Sequence, residues 1–374
     1  MRGPAAHPIV IAAGGTGGHL FPAEALAAAL IARGERVALM TDARSAAYAS
    51  PVFANAERFV LRGSGLAGHG AIGAAKGALA LAAGAAQARS LLRTLRPAAV
   101  VGFGGYPSVP PMVAARTLLR RPALILHEQN AVLGRANRLL ARGADLTALC
   151  FEGTAAVPAN AHAEVLGNPV RPAIAALHGG DYTKIVNRFR LLVLGGSLGA
   201  RVLSDVVPAA VAALPPELRA RIEVVQQCRA EDLDRARAAY AAAGIAAELS
   251  AFFTDVASRY AAAHLVVARA GASTVAEIAC AGRPAILVPL PHAIDDHQSA
   301  NAASLARAGA AEVIAQPFFT AETLTKALRS RLSHPTALAD AARAAAALGR
   351  PDAAERLADR VLQLARERLR EEHA

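Results

Sequence analysis

Residues Pro8–His19 read PIVIAAGGTGGH, a short β-branched apolar run that stops at a glycine-rich turn. An Ala/Leu-rich helix is predicted after it, from about Pro22 to Arg33. An apolar run this short, with no polar alternation, fits a strand buried on both faces, which is how parallel sheets are built. The pattern restarts at Arg190, where RLLVLGGSLGA again runs strand, double glycine, helix start, 181 residues after the first glycine pair. Further strands are predicted at Arg36–Met40, Ala98–Gly102, Ala123–Leu126, Ile222–Val225, His264–Ala268 and Pro284–Leu290. Short strands alternating with helices imply an α/β protein with parallel sheets covered by helices on both faces, here two Rossmann-like domains. The linker is placed near Asn168–Pro172, whose NPVRP carries two prolines. That divides the chain into a first domain over 1–170 and a second over 171–349. The charged amphipathic segment from about 350 to 374 either packs back on the first domain or stands as a solvated helix.

Composition agrees with two packed cores. The chain has 374 residues, 54% of them hydrophobic and 18% charged, which excludes a disordered tail-like protein. With aromatics at 4% and no Trp, the cores must be Ala, Leu, Val and Ile. Net charge is +11, and of the 40 cationic residues only Lys76, Lys184 and Lys326 are lysines. Such a balance points to anionic company: nucleic acid, an acidic lipid surface or phosphorylated small molecules. The arginines are dispersed, without an aromatic-interleaved stripe or zinc-finger spacing, so no nucleic-acid partner is expected. Cys150, Cys228 and Cys280 offer no metal knuckle and no CxxC, and read as free thiols of a reducing compartment. Ile9–Ala13 is too short for a signal-peptide core, and the uncharged window Pro97–Ala115 is broken by Pro107, Pro110 and Pro111, so no spanning segment is expected.

Several turns carry groups suited to a ligand. GGTGGH (Gly14–His19) sets backbone N–H groups at a helix N-terminus, a favourable place for a phosphate or sugar, although a plain tight turn has the same composition. It is neither the dinucleotide fingerprint, since Leu20 stands where the third glycine belongs, nor a P-loop. His19 beside it can act as a base near neutral pH. GFGGYPSVPP (Gly102–Pro111) and HEQN (His127–Asn130) also follow strands, where α/β folds gather ligand-facing groups. The position that would complete HExxH is Ala131, which excludes that zinc motif. GGSLGA (Gly195–Ala200) and RAGAST (Arg269–Thr274) are two more candidate anion cradles. Glu277 follows Thr274 by three residues, which reads either as a capping box or as a carboxylate for a ribose diol. Asp295 and Asp296 read as helix-start dipole partners, not a metal site.

GGTGGHLFPA, GFGGYPS, HEQN, GNPVR, GGSLGA, ARAGASTVAE and DDHQSANA together, in this order and spacing, resemble the bacterial peptidoglycan N-acetylglucosaminyltransferases of glycosyltransferase family 28, from about residue 8 to 350. The resemblance implies a GT-B fold, two Rossmann-like domains with parallel sheets facing each other across a cleft. It implies inverting transfer of GlcNAc from UDP-GlcNAc to the C4 hydroxyl of the MurNAc of lipid I, forming lipid II, with no metal and no cofactor. Carried over by position, Thr16, Gly17 and Gly18 line the site and Asn130 contacts the GlcNAc. Arg171 and Ser197 meet the diphosphate, and Phe253 lies beside the uracil. Ala272, Ser273, Thr274, Val275, Ala276 and Glu277 wrap the diphosphate and ribose, with Glu277 on the diol, and Gln298 bonds the sugar hydroxyls. Tyr106, Asn137 and Arg269 match further functional positions. His19 is the candidate catalytic base, with Glu128 and His127 as rivals.

The chain departs from the family at Leu198, where Gln is usual, and at Ser204, where many members carry Asn; His178–Arg190 is unlike the usual linker. A polyprenyl acceptor implies a peripheral protein on the cytoplasmic face of the bacterial inner membrane. Its partners would be anionic inner-leaflet lipids and other cell-wall synthesis and division proteins. The stretch from Arg62 to about Arg93, with Arg62, His69 and Lys76 every seven residues among Leu66, Ile72, Leu79 and Leu81, is a candidate membrane patch, or else an ordinary loop and core helix. Two rival readings are another GT-B enzyme such as a UDP-GlcNAc 2-epimerase, and a nucleotide-sugar sensor without turnover.

Overall fold

The computed structural model describes residues 7–15, 17–46, 50–62, 71–182, 185–196 and 199–371, without the side chains of residues 71–75 and 294. The chain forms two compact units, residues 1–171 with 352–374, and residues 172–351.

The first unit runs β1 (Ile9–Ala12), α1 (Gly17–Ala32), β2 (Val37–Thr41), β3 (Glu57–Val60), α2 (Ala71–Leu95), β4 (Ala99–Gly102), α3 (Gly105–Arg116), β5 (Ala123–Glu128), α4 (Arg135–Leu140), β6 (Leu146–Leu149) and β7 (Ala163–Val165). Its seven strands pair in the order β3-β2-β1-β4-β5-β6-β7, all parallel. The order reverses between β1 and β4, and the turns after those two strands flank that switch point, where α/β sheets bind ligands. Helix α1 begins at Gly17, five residues before the predicted start, and holds Pro22 inside it. Low glycine propensity is a weak prior, overridden here because Leu20, Leu26 and Leu30 bury against Ile9 and Ile11 of β1.

The second unit runs α5 (Pro172–Ala175), β8 (Phe189–Leu194), α6 (Arg201–Ala212), α7 (Pro216–Arg219), β9 (Ile222–Gln227), α8 (Leu233–Ala242), β10 (Ala246–Ser250), α9 (Val256–Ala262), β11 (Leu265–Ala268), α10 (Ala272–Ala281), β12 (Ala285–Leu287), α11 (His297–Arg307), β13 (Ala311–Val313), α12 (Ala321–Ser333) and α13 (Pro335–Leu348). Its parallel order β10-β9-β8-β11-β12-β13 repeats the first six positions of the other sheet, with the switch point between β8 and β11. The unusual segment after His178 straps onto this core: the Tyr182 hydroxyl donates to the His264 carbonyl at 2.7 Å, and the Arg283 guanidinium lies 5.6 Å from the ring centroid.

Helix α14 (Ala353–Glu371) closes the first unit. Leu357, Ala358, Val361 and Ala365 make an i, i+4, i+8 stripe buried in the same core as Leu26 and Leu30. Its charged face is tied at the rim, Arg33 to Asp359 at 2.7 Å and also to Glu355, Arg360 to Glu164 at 2.8 Å, and Arg368 to Asp145 at 2.7 Å.

Candidate functional site

In the first unit the switch point is organised by residues just past β5. Glu128 ends that strand with its carboxylate buried. Oε1 accepts from the Asn130 backbone N–H and side-chain amide, both at 3.0 Å. Oε2 accepts from the Gly134 N–H at 2.8 Å and the Asn137 amide at 2.9 Å. Four donors saturate the two oxygens, so Glu128 is a hub that shapes the loop, and its candidacy as a base loses to its geometry. The hub also fixes two predicted site residues, Asn130 and Asn137.

His127, the other rival, is completely buried. Burial, opposed by the Gly167 carbonyl and reinforced by the nearby His19, pushes its pKa down to about 4, which keeps the imidazole neutral. Its Nε2 donates to the Gly167 carbonyl at 3.3 Å, with the Cys150 sulfur at 3.6 Å. An imidazole so enclosed cannot meet a substrate hydroxyl.

His19, in the first turn of α1, is only partly buried. Its Nδ1 meets Gln129 Oε1 at 3.0 Å. The imidazole lies against the Gly104–Gly105 backbone, where φ is 80° and 66°. A Cβ on Gly105 would sit 3.3 Å from His19 Nε2, and one on Gly104 3.2 Å from the Asn137 amide nitrogen, so a side chain here is both strained and obstructive. The glycines of GFGGYPS thus make room for the histidine. The N–H of Gly15 is likewise engaged, donating to the Ser45 hydroxyl at 2.7 Å. Gly17 and Gly18 form the opening of α1, and Tyr106 is exposed at the start of α3. Arg171 ends the first unit with its guanidinium 5.0 Å from the centroid of Phe21 on α1. Thr16 lies outside the described residues.

In the second unit the turn after β8 folds back on itself. A Cβ on Gly195 would fall 2.6 Å from the Ala200 nitrogen, and one on Gly199, at φ 69°, 2.5 Å from Arg229 Cγ. Only glycine fits either position. Ser197 and the departure Leu198 lie outside the described residues; Ser204 is buried on α6. Beside this turn, after β11, Gly271 is the N-cap of α10, which makes Ser273 and Thr274 first-turn residues and Glu277 a residue of the next turn. The capping-box reading therefore fails, because Thr274 is inside the helix. Glu277 is buried with Tyr260 donating to it at 3.3 Å, and Ala272 and Val275 are buried while Ser273, Thr274 and Ala276 are half-exposed.

Arg269 does not point its guanidinium outward. It donates to the carbonyls of Val288 and Pro289, both at 3.1 Å, and to Gln316 Oε1 at 2.6 Å, and burial pulls its pKa down. These bonds clamp the ends of the strands. Gln298 Oε1 accepts from the N–H groups of Ala270 at 3.2 Å and Leu290 at 2.9 Å. Only its amide nitrogen remains for a sugar. Of the adjacent phenylalanines, Phe252 is exposed and Phe253 is buried, its ring 3.9 Å from the Arg259 guanidinium carbon. Among the described residues no cluster of three His, Cys, Asp or Glu could hold a metal ion.

The model of the glycosyltransferase family 28 N-terminal domain matches residues 9–148, and that of the family 28 C-terminal domain matches residues 190–357. The chain belongs to glycosyltransferase family 28. It is 60% identical to the UDP-N-acetylglucosamine–N-acetylmuramyl-(pentapeptide) pyrophosphoryl-undecaprenol N-acetylglucosamine transferase of Granulibacter bethesdensis, over 97% of this chain and 95% of that protein. Among solved structures, the crystal structure of Acinetobacter baumannii MurG superposes with a TM-score of 0.77 at 30% identity, covering 96% of this chain and 99% of that one. The fold is GT-B. A UDP-N-acetylglucosamine 2-epimerase structure from Listeria monocytogenes also superposes, with a TM-score of 0.66 at 15% identity over 96% and 95%; at that identity the likeness is one of fold alone. What sequence reading missed is Gln129, which lies inside HEQN and had no signal of its own until the fold set it against His19, 110 residues away.

Proposed function

We infer that this family 28 glycosyltransferase transfers N-acetylglucosamine from UDP-N-acetylglucosamine to the N-acetylmuramyl-(pentapeptide) pyrophosphoryl-undecaprenol acceptor, at the C4 hydroxyl of the MurNAc, with inversion and without a metal. The observation that carries the reading is the relative named for that reaction, 60% identical over nearly the whole of both chains.

The site residues support a single displacement. The acceptor oxygen forms its bond to the anomeric carbon while His19 Nε2 takes the hydroxyl proton. The bond from that carbon to the phosphate oxygen breaks, and its electron pair leaves with UDP. Helix N-termini at α6 and α10, with Arg171 and Ser197, stabilise the growing charge of the diphosphate. Glu277 holds the ribose diol, Phe253 lies by the uracil, and the Gln298 amide nitrogen and Asn130 hold the sugar; Thr16, Gly17, Gly18, Tyr106 and Asn137 complete the first unit's share.

The lipid acceptor places the enzyme at the cytoplasmic face of the inner membrane, on anionic lipids and beside other wall-synthesis and division proteins. No described helix is long and apolar enough to cross a membrane. On α2 the exposed Lys76, Leu79 and Arg93 support a peripheral contact, whereas Arg89 is turned onto Thr117 and drops out of the patch. His69 and Leu66 lie outside the described residues.

The test is transfer of labelled GlcNAc to a short-chain lipid I analogue, with and without EDTA, in anionic and neutral vesicles. Disaccharide product that resists EDTA and forms faster on anionic vesicles is expected. Product lost to EDTA overturns the metal-free mechanism, and equal rates overturn the anionic surface. Conversion of UDP-GlcNAc with no acceptor present favours the epimerase reading, and donor binding without any turnover favours a sensor.

A further inference from the structure

A backbone carbonyl can only accept a hydrogen bond, and that single fact fixes a chain of protons through the first unit. Gln129, 2% exposed, sets its side-chain nitrogen 3.0 Å from the Phe103 carbonyl and 3.0 Å from His127 Nδ1. The reverse amide orientation would set its oxygen against the carbonyl oxygens of Phe103 and, at 3.3 Å, His127. The Gln129 nitrogen therefore donates to the Phe103 carbonyl and to His127 Nδ1, and its Oε1, an acceptor, faces His19 Nδ1 at 3.0 Å. His127 Nδ1 accepts, so its proton sits on Nε2, directed at the Gly167 carbonyl. His19 Nδ1 must then carry a proton, which leaves Nε2 as the atom with the lone pair.

We propose that Gln129 is a positioning residue that fixes His19 in the Nδ1–H tautomer, held in turn by a buried neutral His127 anchored to Gly167. The proposal rests on the reading of His19 as base. A neutral amide in this place orients the imidazole without adding a charge, unlike the carboxylate of hydrolase triads. Glu128, whose negative charge stands in the same loop, is turned away from the relay onto Asn130, Gly134 and Asn137. The Gly167 carbonyl belongs to the GNPVR stretch just before the second unit begins, so the relay runs from that linker to the first turn of α1.

The first measurement is nitrogen-15 NMR of the histidines in the wild-type protein, which needs no variant. His19 protonated on Nδ1 is expected; a wild-type His19 protonated on Nε2 overturns the proposal outright. Gln129→Met, close in volume and without an acceptor, is expected to release His19 to the Nε2–H tautomer. It should lower kcat by about tenfold, less than the 10²–10⁴ that a general base supplies in full, while KM for UDP-GlcNAc stays within about twofold. Gln129→Met with unchanged tautomer and kcat overturns it. His19→Ala separates the two readings: if that variant keeps wild-type kcat, the base assignment falls, while the tautomer measurement still decides what Gln129 does.

Discussion

At the switch point of the first unit the polar side chains, besides their bonds to backbone, are linked to one another: His19 to Gln129, Gln129 to His127, and Glu128 to Asn130 and Asn137. At the corresponding point of the second unit, Arg269, Gln298 and Asn301 direct bonds to backbone, at Val288, Pro289, Ala270 and Leu290, with one side-chain bond from Arg269 to Gln316. The strand order is the same, so topology alone does not assign the chemistry. A network among side chains fixes protonation states, which suits a unit that takes up a proton. Clamping backbone fixes where N–H groups and helix ends lie, which suits a unit that holds a diphosphate. One frame carries two different sets of polar contacts, which the proposed function assigns to proton transfer and to anion binding.

The comparison is tested hardest at Glu128. Glu128→Ala removes the acceptor of the Gly134 N–H and the buried Asn137 amide and empties a site shaped by four donors. A loss of about 4 kcal/mol in unfolding free energy of the first unit is expected from unsatisfied buried donors. Urea denaturation checks it. Glu128→Gln, which keeps one oxygen, should lose about half as much. A loss under about 1 kcal/mol for the alanine variant would show that the loop is held by something other than this hub.

His127 predicts a smaller effect and a defined pH window. Its folded pKa of about 4 lies below the ordinary 6.5, so between those values the unfolded chain binds a proton that the folded chain refuses. Stability attributable to this residue is full above pH 6.5 and falls as pH drops towards 4, by about 3 kcal/mol in all. A proton on Nδ1 would face the amide nitrogen of Gln129, which is why the folded state resists it. NMR titration of the His127 ring checks this, and an apparent pKa near 6 would remove the neutral histidine from the relay. No comparable buried neutral histidine is part of the second switch point among the described residues, where the buried cation is an arginine.

Much of the frame is legible in the sequence because it is written in local punctuation. An apolar run followed by GG reports a buried strand ending at a turn, and two such runs report two units. The turns of both switch points, and HEQN between them, can be picked out in the same way. Edge strands escape: Glu57–Val60 and Ala163–Val165 are short, carry charges and are partly exposed, so no apolar run marks them. The boundary of α1 escapes because packing, not propensity, decides that Gly17 and Gly18 are helical. Among site residues the sequence supplies types but not partners. His19 is the candidate base in the sequence, but nothing there removes Glu128 or His127 as rivals. What separates them is long-range: four donors around one, full burial of another, and only partial burial of the third. Arg269 is a further case, since a guanidinium beside a glycine turn gives no sign of its three acceptors in the sequence.

The smallest effect sharpens the contrast most, at Gln298. Its Oε1 joins the turn after β11 to the turn after β12 by accepting from Ala270 and Leu290. Leu290 is exposed, so its N–H can turn to water, but Ala270 is fully buried and cannot. Gln298→Met therefore should lower the stability of the second unit by about 1 kcal/mol, read from hydrogen exchange at Ala270 and its neighbours. KM for UDP-GlcNAc should rise with it, since the proposed function gives the amide nitrogen of the same residue to the sugar. If KM rises while exchange at Ala270 is unchanged, Gln298 acts as a ligand contact alone. The second switch point would then read its donor through side chains, and the division between a side-chain network and a backbone clamp would hold for Arg269 but not for its neighbour.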